Sequence, residues 1–505
     1  MKSYWTRAAN WCITPVKSNS RTAVGCVDIG EAMETITAAV HSALRAVLLL
    51  VCIPAVACSQ PEAHLAIDAR EHHQIMAGWE VTARALEFDK GNDRFDGSWL
   101  AQRDAFAAML VDEAGIDRLR LEIKSGMENP VDYWSLFAAG KIGYRAYKDR
   151  FYEKINDNDD PAALNPTGMH FSDMDWHVEN IVLPVQKRLE ARGRRLRLNL
   201  AYVDFGWTPI KGTLSHAKNP AEYAELVTES FLHLKTKYGL VPDSLEIIIE
   251  PDNSDNWRGV EIGKAIVATS ARLEAAGFHN VEIIAPSTAK AQRALEYFGD
   301  IKRVPGAVAH MHTLAYHRYD GVPDALDLDA IRKTARGANL ATAMLEYVDG
   351  GVGDLLADLG EADAASWQKY GIAARQRTDG TASPGWLIVT HADPGAPLKL
   401  RLTRTARALG LIFGAVDQGS VRVGARSNTG NLAAASFLTP GDRLIVAFQA
   451  AADMPVALTG LRPGRYSLAM VANDEAGTLT SREIEVAGPL HLQAIANATY
   501  RLAQK

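Results

Sequence analysis

The stretch Ser244-Leu-Glu-Ile-Ile-Ile-Glu-Pro-Asp-Asn253 is a short run of β-branched and apolar residues that ends in a glutamate and then in turn-forming residues. A second stretch, Ala341-Thr-Ala-Met-Leu-Glu-Tyr-Val-Asp-Gly350, is built in the same way. An apolar strand that carries a carboxylate at its C-terminal end is typical of the parallel strands of an α/β barrel. The two stretches therefore predict barrel strands with Glu250 and Glu346 at their C-terminal ends.

The segments around these two stretches alternate between strand-like and helix-like patterns, which is the signature of βα units and a parallel sheet. Helices are predicted between the strands, for example over Pro220–Tyr238, where a proline stands near the start. Eight such strands predict a (β/α)₈ barrel. The predicted strands are Gln74–Trp79, Ile116–Ile123, Leu196–Tyr202, Leu245–Ile249, Val281–Pro286, Ala307–Tyr316, Leu340–Leu345 and Trp386–Thr390.

Beyond about residue 415 the pattern changes to short alternating strands separated by turns, as in Arg443–Phe448 and Tyr466–Val471. Helical periodicity is absent there, so this part is predicted to be a β-sandwich. The expected domains are a leader in residues 1–58, the barrel in residues 62–415 and the sandwich in residues 416–505. Residues 62–75 are also strand-like and are candidates for pairing with the sandwich.

The composition fits a globular protein of this size. The chain has 505 residues, 47% of them hydrophobic and 23% charged, and its net charge is −6. That length suits a barrel of roughly 250 residues or more with a companion domain. No run of lysine or arginine forms a nucleic-acid footprint, so nucleic acid is not an expected partner.

The N-terminal segment has the features of an export signal. The 12-residue apolar run Ala46–Ala57 follows Arg45 and is too short to span a bilayer, but it suits the core of a signal peptide. It ends in Ala55-Val-Ala-Cys58, which resembles a bacterial lipoprotein box; ordinary cleavage after an Ala-x-Ala pattern is the alternative. Both versions predict an exported protein, and the lipoprotein version adds a lipid on Cys58 as the only expected membrane contact.

Two further inferences come from this segment. Met33 would give a leader of normal length, so residues 1–32 are interpreted as a misassigned start, with a genuine N-terminal extension as the alternative. All four cysteines (Cys12, Cys26, Cys52 and Cys58) lie in the first 58 residues. The main body therefore has neither a disulfide framework nor a cysteine-based metal site.

The predicted chemistry rests on the pair of glutamates. All strands of a parallel barrel end at one rim, so Glu250 and Glu346 are expected to face each other there. Hydrolysis of a glycosidic bond with retention needs two carboxyl groups about 5–5.5 Å apart, one to protonate the leaving oxygen and one to attack the anomeric carbon. A single glutamate is most often a surface residue. Two at the ends of the fourth and seventh strands indicate a catalytic pair.

Several segments resemble glycoside hydrolase family 30, the glucosylceramidase and xylanase family, from about residue 65 to the C-terminus. The resemblance implies a retaining β-glycosidase without a cofactor, with Glu250 as acid/base and Glu346 as nucleophile. The segments that carry it are Gln74–Glu80, Ile116–Leu121, Tyr316–Tyr319, Val416–Ala425, Leu432–Phe437 and Asp442–Phe448.

One position departs from the family pattern. Relatives carry Asn-Glu-Pro at the acid/base, and this chain has Ile249-Glu-Pro251. The resemblance implies that this asparagine binds the sugar 2-hydroxyl, a contact that isoleucine cannot make. Three alternatives remain: Asn253 or Asn256 reaches in from the loop, the substrate differs at that carbon, or catalysis is impaired.

Other residues are candidates for binding the sugar. Trp79, Tyr202, Trp207 and Trp257 follow or close strands and are candidates for stacking on pyranose rings, although packing in the core is as common for such residues. Arg120 is expected to pair with a catalytic carboxylate. The remaining candidates for polar contacts with substrate are Asn129, Asp204, Asn253, His317 and Tyr319.

Three histidines, His310, His312 and His317, lie close together in sequence, but no carboxylate completes a convincing ligand set, so no metal is expected. The sequence therefore predicts a secreted or lipid-anchored retaining β-glycosidase that acts on a glycan or glycoconjugate. The alternatives are an endo-acting polysaccharide hydrolase of a different linkage and a non-catalytic carbohydrate-binding barrel.

Overall fold

Eight parallel strands close into a barrel, and their order around it follows their order in the chain. The computed structural model describes residues 62–505 except 86, 90–92, 376–386 and 391–397. The predicted leader and all four cysteines lie outside the described residues. The barrel strands are Gly78–Thr82, Arg118–Lys124, Arg197–Val203, Ser244–Glu246, Glu282–Thr288, Met311–His317, Ala341–Tyr347 and Ala364–Lys369.

Helices connect the strands on the outside of the barrel. Pro220–Tyr238 has the bounds that its sequence predicts, with proline in the first turn and Gly239 in the left-handed conformation that ends the helix. π-helical turns, Met109–Glu113 and Val178–Val182, interrupt two other helical segments. The α-helices are Arg103–Ala108, Tyr133–Ala138, Tyr144–Lys148, Ser172–His177, Leu183–Glu190, Pro220–Tyr238, Gly259–Ala275, Ala294–Ile301, Ala307–His310, Ala325–Gly337, Val352–Glu361 and Arg404–Phe413.

The eighth barrel strand is not the predicted one. Ala364–Lys369 closes the barrel by pairing with Ala341–Tyr347 on one side and Gly78–Thr82 on the other. Leu387–Thr390 lies instead in a three-stranded sheet with Ala373–Arg375 and Lys399–Leu402. The true strand reads Ala-Ala-Ser-Trp-Gln-Lys and lacks an apolar run, because the barrel interior it faces is polar: Gln368 Nε2 donates to Glu80 Oε1 at 2.5 Å.

The sixth predicted strand also begins too early. Residues Ala307–His310 form a single helical turn that leaves His310 exposed, and the strand starts at Met311.

The C-terminal strands form a nine-stranded mixed sheet around a second hydrophobic core, which includes Leu65, Val446, Phe448 and Leu502. The N-terminal strand Ala63–Ile75 belongs to this sheet, where it runs antiparallel to Val421–Ser427 and parallel to Met454–Thr459. The predicted fold, a (β/α)₈ barrel with a C-terminal β-sandwich, is therefore confirmed. In spatial order the strands of the sheet are Leu479–Val486, Gly464–Val471, Thr499–Gln504, Leu444–Ala450, Leu432–Leu438, Val421–Ser427, Ala63–Ile75, Met454–Thr459 and Leu490–Ala494.

Across the part of the chain that the structure describes, no helix has the length and apolar character needed to cross a membrane.

Candidate active site

A chain of buried polar side chains runs through the inside of the barrel. Arg118 pairs with Glu80 and donates from Nη2 to Ser244 Oγ at 3.0 Å. Ser244 Oγ in turn donates to Asn199 Oδ1 at 2.9 Å, and Asn199 Nδ2 donates to Glu246 Oε2 at 3.2 Å. Barrel interiors are more often filled by branched aliphatic side chains. Here polar groups extend through the barrel to the carboxylates near its C-terminal rim.

Glu250 follows the fourth strand and has an unusual backbone conformation. Its φ of 49° and ψ of 60° lie in the left-handed region, which costs a non-glycine residue about 1 kcal/mol and is common at functional sites. Its N–H donates to the carbonyl oxygen of Ser287 at 2.9 Å, and Ser287 has a φ of 56° itself. Asn253 Nδ2 donates to Glu250 Oε2 at 2.8 Å. These constraints fix the direction of the Glu250 carboxyl group.

His317 lies between two carboxylates and is fully buried. Its Nδ1 is 3.1 Å from Glu250 Oε1, and its Nε2 is 3.7 Å from Glu246 Oε1 and 3.1 Å from Ser287 Oγ. Burial alone would lower the pKa of His317, but hydrogen bonds to Glu246 and Glu250 outweigh it and raise that pKa to about 9. The imidazole is therefore a cation at neutral pH.

Glu246 is the ionised partner of this cation. Burial acts to raise the pKa of Glu246, but hydrogen bonds from His317 and Ser287 and the charge of Arg120 bring it below its ordinary value. The pair of Glu246 and His317 thus places fixed opposite charges directly behind Glu250.

Glu346 stands at the end of the seventh strand and is 5% exposed. Both of its oxygens accept hydrogen bonds: Arg120 Nη2 donates to Oε2 at 2.5 Å and Tyr319 Oη donates to Oε1 at 3.0 Å. Burial raises the pKa of Glu346, and the charges of Arg120 and His317 oppose that rise. The ion pair with the permanently charged Arg120 guanidinium suits the carboxylate form of Glu346.

The two glutamates face each other across the rim. Glu250, His317 and Glu346 each offer one atom within 4.8 Å of the other two. Such a trio also has the spacing of a metal site. A protonated imidazole, however, has no lone pair to give to a metal, and Arg120 already supplies a cation to Glu346. The arrangement therefore suits acid–base and nucleophilic chemistry.

Of the residues that the sequence singles out, six come together at this point of the rim: Arg120, Glu250, Asn253, His317, Tyr319 and Glu346.

Two other candidates have structural roles instead. Trp79 is fully buried, stacks on Phe413 with ring centroids 4.2 Å apart and donates from Nε1 to the carbonyl oxygen of Val416 at 2.7 Å. It is a core residue and not a sugar platform. Asn129 donates to the carbonyl oxygen of Glu153 at 2.9 Å and is also fully buried, so it holds its own loop together.

Tyr202, Asp204 and Trp257 form one buried group. The Trp257 and Tyr202 rings pack 5.7 Å apart, and Trp257 Nε1 donates to Asp204 Oδ2 at 3.2 Å. Asp204 Oδ1 accepts from Lys154 Nζ at 2.6 Å. Because both rings are fully buried, they cannot stack on a sugar, and the group instead braces the loops above the barrel. Trp207 is half-buried, and the Lys148 ammonium lies 4.9 Å from the centroid of its ring.

Sequence reasoning missed Glu246 and Ser287. Glu246 had a usable signal, because it shares strand parity with Glu250 and so points to the same side. Ser287 had none, since its contribution depends on a left-handed backbone that brings its carbonyl oxygen to Glu250 N.

No family model and no curated protein matches this sequence. Solved structures share its fold. The catalytic domain of a glycoside hydrolase family 30 xylanase C from Talaromyces cellulolyticus has a TM-score of 0.61 at 13% identity, over 88% of this chain and 100% of that chain. SrfJ from Salmonella typhimurium has a TM-score of 0.62 at 12% identity, over 88% of this chain and 93% of that chain.

An endo-β1,6-glucanase has a TM-score of 0.57 at 14% identity, over 87% of this chain and 93% of that chain. The predicted resemblance to glycoside hydrolase family 30 is therefore confirmed for the fold, a barrel joined to a β-sandwich.

The raised pKa of His317 predicts a loss of stability in mildly alkaline solution. A histidine whose pKa is about 9 when folded and 6.5 in its ordinary state contributes stability that is complete below pH 6.5 and is lost as the pH rises through 9. The expected decrease in the free energy of unfolding between these values is at most about 3 kcal/mol. Urea unfolding at several pH values measures it. His317→Gln should flatten this part of the profile, and an unchanged slope in the variant would assign it to other groups.

Proposed function

We propose that this protein is a retaining β-glycosidase that hydrolyses a glycan or glycoconjugate. The observation that carries the proposal is the facing pair of Glu250 and Glu346, with one carboxylate oxygen of each within 4.8 Å at the rim of a parallel barrel. This spacing is close to the roughly 5–5.5 Å between the two carboxyl groups of retaining enzymes and well below the roughly 6.5–9.5 Å of inverting ones. The shared fold with known glycoside hydrolases supports the same conclusion.

In this mechanism Glu346 is the nucleophile. Its carboxylate attacks the anomeric carbon while the protonated Glu250 gives its proton to the departing glycosidic oxygen. A covalent glycosyl-enzyme forms and the aglycone leaves. Glu250, now a carboxylate, then takes a proton from water as that water attacks the anomeric carbon and releases Glu346. Tyr319 and Arg120 hold Glu346 in place at both oxygens.

Ile249 does not take part in this chemistry. Its side chain is 2% exposed and belongs to a hydrophobic cluster with Phe151, Tyr152 and Val203. The amide that lies against the acid/base is that of Asn253, which comes from the short helical turn after the strand. Of the three alternatives for the missing asparagine, this contact favours a replacement from the loop.

Ile249 also favours a second candidate function, a carbohydrate-binding barrel without turnover. A site that has lost its 2-hydroxyl contact loses an interaction that strengthens in the transition state. Sugar binding would then survive and hydrolysis would not. An endo-acting hydrolase of a different linkage is a third version, in which the same pair of glutamates acts within a polysaccharide.

Mechanism-based labelling separates turnover from mere binding. A panel of activated 2-deoxy-2-fluoro glycosides should trap the glycosyl-enzyme, and peptide mass spectrometry should find the label on Glu346. The sugar that labels fastest identifies the preferred substrate class. Labelling of another residue would contradict the assignment of the nucleophile, and sugar binding without any label would favour the binding barrel.

Export of the protein stays a prediction of the sequence Ala46–Cys58. Cell fractionation tests it: lipidation predicts that Cys58→Ser moves the protein from the membrane to the soluble fraction, whereas ordinary cleavage predicts no change.

A further inference from the structure

A second group of acidic side chains lies where the long loop after the second barrel strand meets the helix Pro220–Tyr238. Glu128 and Asp157 come from the loop, and Glu222 and Glu225 project from adjacent turns of the helix. Glu128, Asp157 and Glu222 each offer an oxygen within 4.8 Å of the other two. We call these four residues the loop–helix acidic cluster. It is distinct from the pair of Glu250 and Glu346.

The cluster contains buried oxygens that nothing satisfies. Glu128 is fully buried; its Oε2 lies 2.6 Å from His216 Nε2, but its Oε1 has no hydrogen-bond partner among the described residues. Glu225 is fully buried as well, and its Oε2 also has no hydrogen-bond partner among the described residues. A buried acceptor without a partner destabilises the fold, and a charged one does so more strongly. The remaining unsatisfied oxygens of the cluster are Asp157 Oδ1 and Glu222 Oε2.

The positive charge around the cluster is too small to balance its four carboxyl groups. Arg272 Nη2 is 3.3 Å from Glu225 Oε1. His216 is engaged by Glu128 at one nitrogen and by the Tyr202 hydroxyl at the other.

We propose that the loop–helix acidic cluster binds a divalent cation of the calcium type, held by Glu128, Asp157 and Glu222. All of these ligands are oxygens, the donor set that Ca²⁺ prefers, at about 2.3–2.6 Å. Oxygens around one such ion lie within about 5 Å of one another, which matches the observed spacing. Zinc prefers nitrogen and sulfur ligands, and Mg²⁺ demands stricter octahedral geometry and retains several waters.

A cation there would join the long loop to the helix Pro220–Tyr238. The loop that supplies Glu128 and Asp157 also carries Lys154. Its Nζ donates to Oδ1 of Asp204, which belongs to the buried group with Tyr202 and Trp257. The helix that supplies Glu222 and Glu225 packs on the barrel. The ion would thus fasten the loop to the barrel and stabilise the rim without touching the reacting atoms.

Calcium titration of the full chain tests this inference. After removal of metals with a chelator and desalting, isothermal calorimetry should give about one Ca²⁺ per chain. The midpoint of thermal unfolding should rise by about 3 °C or more when Ca²⁺ is about 100-fold above its Kd, with a smaller rise for Mg²⁺. Asp157→Asn and Glu222→Gln should each weaken Ca²⁺ affinity about 10-fold or more. The matched control Glu190→Gln, which removes one exposed helical carboxylate, should change neither quantity.

A further variant distinguishes the two acidic sites. Glu346→Gln removes a carboxylate from the rim pair and should bind Ca²⁺ as the unaltered protein does. Because binding to the unaltered protein is measured first, a cluster variant that fails to fold does not decide the result. The proposal is overturned if the unaltered protein binds no Ca²⁺, or if Glu346→Gln loses the ion while Glu222→Gln retains it.

Discussion

Replacing Glu346 by glutamine is expected to lower kcat on an activated aryl β-glycoside by about 10⁴-fold or more, the scale of losses seen when one member of a catalytic unit is removed. Glutamine keeps the shape of the side chain but cannot form the covalent glycosyl-enzyme. The measurement is steady-state kinetics on the sugar that the labelling panel identifies. Circular dichroism should show a folded variant, since the glutamine oxygen can still accept from Arg120 and its amide nitrogen can donate to the Tyr319 hydroxyl.

Glu250→Gln is the matched comparison, because the two glutamates have different tasks. A leaving group with a low pKa needs no protonation, so glycosyl transfer to Glu346 should survive in Glu250→Gln with such a substrate, while loss of the base slows the hydrolysis of the intermediate. A burst followed by slow turnover is expected. If Glu346→Gln retained activity while Glu250→Gln lost the burst, the two roles would have to be exchanged.

The barrel and its catalytic strands could be predicted because their signals are local. The stretches Leu245–Ile249 and Ala341–Tyr347 have apolar residues on both faces. Glu250 directly follows the first and Glu346 lies near the end of the second, where a parallel barrel gathers functional groups. Strand Ala364–Lys369 gave no such signal. Its Ser366 and Gln368 face a polar interior, and a polar alternating pattern does not distinguish a barrel strand from a surface strand.

The aromatic candidates show the limit of sequence patterns at this site. Trp79 and Trp257 close or follow strands as a sugar platform would, but each is fully buried, with its indole N–H satisfied inside the protein. A buried tryptophan with a hydrogen-bond partner and an exposed stacking platform have the same local sequence. Only the tertiary packing decides between them: Trp79 packs on Phe413, and Trp257 packs on Tyr202.

The position of Arg120 inside the barrel was predictable, because strand parity places it on the same face as Arg118. The role of each arginine depends on the carboxylate with which it pairs. Arg118 meets Glu80 and Ser244 deep in the barrel, whereas Arg120 meets Glu346 at the rim. The two arginines have nearly identical burial and differ in the charge that they neutralise. That difference allows stability and catalysis to be separated by experiment.

Arg120→Met is expected to lower the free energy of unfolding by about 3–5 kcal/mol, because it leaves the buried Glu346 without its cation. The pKa of Glu346 would then rise further, and kcat should fall by about 10²-fold or more as the ionised nucleophile is lost. Arg118→Met breaks an equally buried pair with Glu80, so it should lower the free energy of unfolding by a similar amount. The kcat of the folded fraction, however, should decrease only slightly.

The double variant Arg120→Met/Glu346→Gln completes the test, because it removes both charges together. Its stability should exceed that of Arg120→Met, since no uncompensated carboxylate remains in the barrel. Denaturant unfolding and kinetics on the folded fraction measure the two effects separately. If Arg118→Met reduced kcat as much as Arg120→Met, the loss would reflect distortion of the barrel, and the specific role of Arg120 in keeping Glu346 ionised would have to be abandoned.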